Sequence, residues 1–147
     1  MITLTALTSE HLGGVAELER LSFSEPWSEN SLSLLLDGNN FGIVALDGDA
    51  VVAYVGVTCV LDEGSVTNVA THPDHRRRGI GRQILRRMLA EAADRGIASV
   101  FLEVRESNSA ARALYASEGF SECGVRRNFY SHPVESAVQM VYYINEK

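Results

Sequence analysis

Ser65-Val66-Thr67-Asn68-Val69-Ala70-Thr71-His72-Pro73-Asp74-His75-Arg76-Arg77-Arg78-Gly79-Ile80-Gly81-Arg82 is the stretch that decides the fold of this chain. Residues 65–71 are small or β-compatible and read as a strand that stops before Pro73. From Gly79 the period changes: Ile80, Ile84, Leu85, Met88, Leu89, Ala92 and Ala93 recur at helical spacing, with arginines opposite, until Gly96 ends the run. Between strand and helix lies a basic turn. N–H groups at a helix start have no intrahelical partner, and glycines let an anion approach them closely, so phosphate oxygens are the natural ligand there. A solvated basic turn with a glycine cap is the plainer alternative. The segment is not a Walker A loop, which needs Gly-Lys-Ser/Thr, nor a dinucleotide fingerprint, because Gly79-Ile80-Gly81 has no third glycine at the required spacing.

Outward from this point the pattern stays regular. Upstream, residues 1–6 read as a strand, and Thr8-Ser9-Glu10 offers an N-cap for a helix carrying Leu12, Val15, Ala16, Leu18 and Leu21. After Pro26-Trp27, Ser28 caps a second short helix through Leu36. Residues 41–46 and 51–61 are β-rich runs joined by a hairpin turn at Asp47-Gly48-Asp49, and Asp62-Glu63-Gly64 makes the next turn into the strand at 65. Downstream, 97–104 is a strand, 108–118 an amphipathic helix closed by Gly119, and 120–127 and 137–144 two more strands. This order predicts an α+β fold in one domain, 1–147: a mixed, mostly antiparallel sheet of about seven strands, helices on both faces and one parallel pair between 65 and 104.

A second chemical feature follows the helix. Val100, Phe101, Leu102 and Val104 surround Glu103, which predicts a central strand with apolar residues on both faces and a carboxylate in costly surroundings. Such a group either pairs with an arginine or lines a cleft, and burial would raise its pKa toward a general-base range. Asn108 and Tyr115 lie two helical turns apart, so they share a face about 10 Å apart with Ala111 between them, within reach of one elongated ligand. A half-buried packing tyrosine is the alternative for Tyr115.

Composition narrows the partners. Hydrophobic residues make up 46% of the 147 and charged residues 22%, as in ordinary globular chains. Net charge is -6, yet Arg76, Arg77, Arg78, Arg82, Arg86 and Arg87 hold six of the 13 positive charges within 12 positions, which leaves -12 elsewhere. That balance argues against a nucleic-acid binder. No apolar run is long enough for a membrane span, and the start MITLTALTSEH lacks the basic and apolar regions of a signal peptide, so a cytoplasmic protein is expected. Cys59 and Cys123 have no zinc-type spacing and read as reduced, with no metal implied.

In type and order these features resemble the GNAT superfamily of acetyl-CoA-dependent N-acetyltransferases. Arg76-x-x-Gly79-x-Gly81 matches its pyrophosphate-loop pattern Gln/Arg-x-x-Gly-x-Gly/Ala, and Val66 to Pro73 is similar to the strand that leads into it. Phe23 with Pro26-Trp27-Ser28, Leu61-Asp62-Glu63, Leu102-Glu103-Val104-Arg105 with Ser107-Asn108, Ala113-Leu114-Tyr115, Gly119-Phe120 and Arg126-Arg127-Asn128-Phe129-Tyr130 resemble its RimI-type, ribosomal-protein-alanine branch. The resemblance spans nearly the whole chain. It implies acetyl-CoA as co-substrate and, as acceptor, the N-terminal alanine of a small-subunit ribosomal protein, a basic partner. It further implies Glu103 as general base and Tyr115 as general acid. Val69, Ala70 and Thr71 would hold the acetyl and pantetheine portion, Arg76, Arg77, Arg78, Gly79, Ile80, Gly81 and Arg82 the pyrophosphate, and Asn108 the middle of the cofactor. Phe129 stands where that branch often has Tyr, and Ser131-His132-Pro133-Val134 is particular to this chain. Two other readings differ in class: acetylation of a small-molecule amine, and a non-catalytic module binding CoA or RNA through the arginines.

Overall fold

A computed structural model describes residues 1–76, 78–131 and 133–144. Strand β1 (Ile2–Ala6) leads through a 3-10 turn, Ser9–His11, into α1 (Leu12–Ser22). Thr8 caps that entry, and His11 Nδ1 accepts the Thr8 N–H in return at 2.9 Å. Ser28 caps α2 (Glu29–Leu32), which tightens into a 3-10 turn, Ser33–Leu36. There follow β2 (Phe41–Asp47), β3 (Ala50–Val60), β4 (Glu63–Thr71), α3 (Ile80–Asp94), β5 (Ser99–Arg105), α4 (Ser109–Ser117), β6 (Ser121–Tyr130) and β7 (Glu135–Tyr143). The expected α+β architecture is present as one sheet of seven strands in the order β1-β2-β3-β4-β5-β7-β6, all neighbours antiparallel except β4 and β5.

Apolar spacing accounts for the layers. Leu12, Val15, Ala16 and Leu18 of α1, with Leu32 and Leu35 beyond it, pack on Val44, Tyr54 and Ala70 on one face. Ile80, Ile84, Leu85, Met88 and Ala92 of α3, with Tyr115 of α4, pack on Ile43, Val55, Val57, Val100, Leu102, Val104 and Met140 on the other. Each fully buried Leu, Ile or Met contributes about 1.5–3 kcal/mol, so both helical layers are held by side chains rather than by helix propensity.

Two sequence expectations shift, and both shifts shape the site. The turn after β3 falls at Leu61-Asp62, with Leu61 at φ 55°, so β4 begins at Glu63 rather than at Ser65. The added residues make the parallel contact, since β4 and β5 pair only over Glu63↔Ser99, Gly64↔Val100 and Ser65↔Phe101. Beyond Ser65 the strands part. β4 stays on β3 with one extra residue, Thr67, between the pairs Val57↔Val66 and Gly56↔Asn68, and this bulge bends it away. Strand β5 also departs from the expected apolar surround. Val100, Leu102 and Val104 are buried, whereas Ser99, Phe101, Glu103 and Arg105 are half-buried on the opposite face, where β5 is not covered by a helix core.

Candidate active site

The parted strands open a cavity of about 620 Å³. Val66, Thr67, Asn68 and Val69 of β4 form one wall, and Leu102, Glu103, Val104 and Arg105 of β5 the other. Asn108, Ala111 and Tyr115 of α4 reach it from the α3 side, while the α1–α2 connection (22–25 and 27) and Phe129, Tyr130 and Ser131 reach it from the α1 side. The cavity therefore passes through the plane of the sheet. Along β4 beyond Ser65, alternate N–H and C=O groups have no β5 partner and face the gap.

Glu103 enters from the half-covered face of β5, its side chain 27% exposed, and its Oε2 lies 2.9 Å from Nε of Arg126. That oxygen is shut off from water, and the arginine contact is an ion pair without hydrogen-bond alignment, so a buried acceptor remains open. Both sequence alternatives thus hold at once, since the carboxylate pairs with an arginine and lines the cleft. Tyr130 stands nearby; burial first, then the Glu103 charge, pushes its phenol pKa up.

Tyr115 is held by its own helix end. Gly119 closes α4 at φ +103°, and a Cβ there would come within 2.8 Å of the Tyr142 ring, so only glycine makes this turn. The turn delivers Phe120 against Tyr115, ring centroids 5.8 Å apart, and against Tyr142 at 5.5 Å. Tyr115 is only 9% exposed, and burial, with a smaller contribution from Tyr130, pushes its pKa to about 12. Asn108 caps α4, its Oδ1 accepting the Ala111 N–H at 3.1 Å. Its side chain is a structural cap as well as a cavity wall.

The basic turn divides into distinct parts. Gly79 has φ +75° and open space where a Cβ would project, and Gly81 meets only Leu114 at 3.7 Å, so the first N–H groups of α3 stand clear for an anion. Ile80 is buried and offers its backbone alone. Arg76 Nε donates to the Thr71 carbonyl at 3.3 Å, Arg78 is exposed, and Arg77 lies outside the described residues. Arg82, expected at the pyrophosphate, also has a protein partner. Its guanidinium is paired with Glu118 of the α4 C-terminus and donates to Ser117 at 3.1 Å, and Arg86 joins the same carboxylate at 2.7 Å. Glu118 thus ties α3 to α4 and neutralises part of the arginine cluster, because one acid at position 118 faces two helix positions four apart.

This tie has a pH signature. Arg86 first, then Arg82, holds the Glu118 carboxyl below the ordinary carboxylate range, against the opposing effect of burial. A depressed folded pKa gives stability that is fully present above the unfolded value and is lost as pH falls through the folded one. Glu118→Gln should therefore be slightly less stable than the wild type at neutral pH, the difference being damped by solvent screening of its exposed arginine partners. The gap should begin to narrow as pH falls below about 4 and go on narrowing in stronger acid, in urea titrations at several pH values. An undiminished gap in acid would deny the ion pair.

Several site residues were not singled out in the sequence. Asn68 sits beside the bulge, and Arg105 packs over the Tyr130 ring at 4.4 Å while donating to the carbonyls of Pro133 and Ser131. Ser131 Oγ donates to Glu25 Oε1 at 2.8 Å, which joins the β6–β7 tip to the α1–α2 connection across the α1-side mouth. His132 of that tip lies outside the described residues. Glu19 is fully buried behind the mouth. Its signal was present in the helix spacing, since position 19 falls on the buried stripe with 12, 15 and 16.

A seven-stranded sheet split between β4 and β5, with an open glycine turn at the start of α3, is an architecture this chain shares with acetyltransferases. The chain belongs to the acetyltransferase (GNAT) family, whose model matches residues 12–120. It is 35% identical over 130 residues to the [ribosomal protein bS18]-alanine N-acetyltransferase of Escherichia coli K12, covering 88% of both chains, and 36% identical to that of Salmonella typhimurium at the same coverage. The crystal structure of the ribosomal-protein-S18-alanine N-acetyltransferase from Escherichia coli superposes with a TM-score of 0.92 at 34% identity, over 100% of this chain and 96% of that one. Among the described residues no helix is long and apolar enough to cross a membrane, and no group of three His, Cys, Asp or Glu is placed to hold a metal ion.

Proposed function

We propose that this protein, acting as a single acetyltransferase domain over residues 1–147 in the cytoplasm, moves the acetyl group of acetyl-CoA to the N-terminal α-amine of a small-subunit ribosomal protein that begins with alanine. The single observation that carries this reading is the through-sheet cavity that presents Glu103 on one side and Tyr115 on the other. The 35% identity to enzymes with that substrate supports it.

Each chemical need has a residue. Acetyl-CoA, when bound, supplies an electrophilic thioester carbonyl. The turn N–H groups at Gly79, Ile80 and Gly81, with Arg76, Arg77 and Arg78 around them, take the pyrophosphate; Arg82 contributes by bracing α3 on α4. Asn108 and Ala111 line the path toward Tyr115, and the open edge of β4 at Val69, Ala70 and Thr71 offers a backbone N–H to the carbonyl oxygen as negative charge grows there. From the α1 side, the acceptor amine approaches the Glu103 carboxylate, whose Oε2 is held by Arg126, and the carboxylate takes its proton directly or through a water. An α-amine of pKa about 7.8 is roughly one-seventh neutral at pH 7, about 340 times more than a lysine amine of pKa about 10.4, so an N-terminus is the easier acceptor. Tyr115 stays a neutral phenol throughout the working range. Against a thiol of pKa about 8.5 it is a weak acid, so its contribution begins as a hydrogen bond to the departing sulfur and is completed by proton transfer as the amine gives up its own proton. The -12 balance outside the arginine segment suits a basic protein tail.

Mass spectrometry of acetyl incorporation into a panel of N-terminal peptides, with Ala-Arg starts and a lysine-only control, tests the substrate. Modification confined to α-amines of Ala-starting peptides is the expected result. Acetylation of lysine alone, or of small amines alone, would overturn it.

A further inference from the structure

Glu19 is the one fully buried charged residue among the described residues, and no step of the transfer uses it. Its carboxylate accepts three hydrogen bonds: Oε1 from the backbone N–H of Trp27 at 2.8 Å, and Oε2 from Nδ2 of Asn68 at 2.9 Å and from the Tyr54 hydroxyl. Removing a carboxylate from water is expensive, and three converging donors are what make it tolerable. An apolar residue would fill this position on the α1 stripe at lower cost, so the carboxylate is better explained by what it holds. Two of its donors belong to the cavity. Trp27 lines the α1-side mouth, and Asn68 lies next to the Thr67 bulge where β4 has left β5. Tyr54, fully buried under α1, anchors the third side.

We propose that Glu19 is a positioning residue for acetyl transfer, fastening the Trp27 segment to Asn68 and so fixing the acceptor-side mouth against the open edge of β4. It touches no reacting atom. The inference rests on the reading of this cavity as the transfer site, and it assigns the registration of the two substrates to a group outside the cavity. Three donors on two oxygens leave no neutral substitute, because an amide at position 19 turns one acceptor into a donor facing donors. Exchanging the partners repairs this: in Glu19→Gln combined with Asn68→Asp, the amide N–H groups meet a carboxylate and the Tyr54 oxygen, while the amide oxygen still accepts from Trp27.

Steady-state kinetics on the full chain, with thermal melting beside them, test the role. Glu19→Gln should lower kcat/KM for the acceptor by about tenfold or more, mainly through KM, with the KM for acetyl-CoA within about twofold of wild type. The Glu19→Gln, Asn68→Asp double variant should recover most of the loss. Wild-type acceptor kinetics in a folded Glu19→Gln, or a double variant no better than the single, would overturn the proposal. If Glu19→Gln fails to fold, Asn68→Ala reads the same link: an acceptor KM raised by about tenfold upholds it, and an unchanged one sinks it. The ratios are taken with whichever acceptor the wild type acetylates, peptide α-amine or small amine. Failure of the substrate reading and failure of the Glu19 role therefore give separate results.

Discussion

Replacing Tyr115 with Phe should lower kcat by about 10²-fold or more while the affinity for acetyl-CoA changes less than about twofold. The size of the effect follows from the environment of the hydroxyl. The ring is nearly buried and packed against Phe120, so Phe keeps the aromatic contacts and the helix end intact, and only the O–H is lost. With its pKa pushed to about 12 by burial, that O–H remains protonated across the working range and is always available to the sulfur. The wild-type rate should accordingly show no alkaline fall from Tyr115 ionisation up to about pH 10. Pre-steady-state kinetics with a thiol probe, together with CoA binding by calorimetry, separate the two quantities. An unchanged kcat would remove Tyr115 from the mechanism.

Glu103→Gln is the second large effect, and its size should depend on pH. Near neutrality an α-amine is already partly neutral, so loss of the base costs about tenfold; at pH 6 the neutral fraction falls to roughly one in sixty, and the loss should approach 10². The sign follows from the acceptor, whose protonated share grows as pH drops. A second consequence comes from Arg126, 2.9 Å from the carboxylate in the ion pair. The amide retains the shape but not the charge, so melting temperature should change little, since Arg126 is 56% exposed and such pairs are worth at most about 1 kcal/mol. Rate profiles from pH 6 to 9 decide the matter. A uniform, pH-independent loss would assign Glu103 a structural role instead.

Much of this architecture could be read before any coordinates, because the decisive signals were local. The shift from β-compatible residues at 65–71 to helical spacing after Gly79 placed the anion turn, and the two-turn separation of Asn108 and Tyr115 placed them on one wall of the cavity. What stayed hidden depends on contacts between distant segments. Leu61 takes a left-handed turn that propensity assigns to Gly64, because the strand must reach back to Glu63 to meet Ser99. The pairing of Arg82 with Glu118 is hidden because the two lie 36 residues apart, at different helices. Glu103 looked enclosed because a run of apolar neighbours cannot reveal that one face of β5 is left uncovered. Glu19 was legible in principle, since its place on the α1 stripe is plain, but its three donors come from three separate parts of the chain.

The three-residue seam between β4 and β5 has a bearing on how such a protein can change over time. Ladder hydrogen bonds across the seam are confined to Glu63–Ser65 and Ser99–Phe101, so side chains from Val66 and Leu102 onward face each other with no shared backbone bonds at stake. Substitutions along the open edges reshape the pocket without undoing the pairing that joins the two halves of the sheet. Heritable variation in what is bound is in this way separated from heritable variation in whether the chain folds.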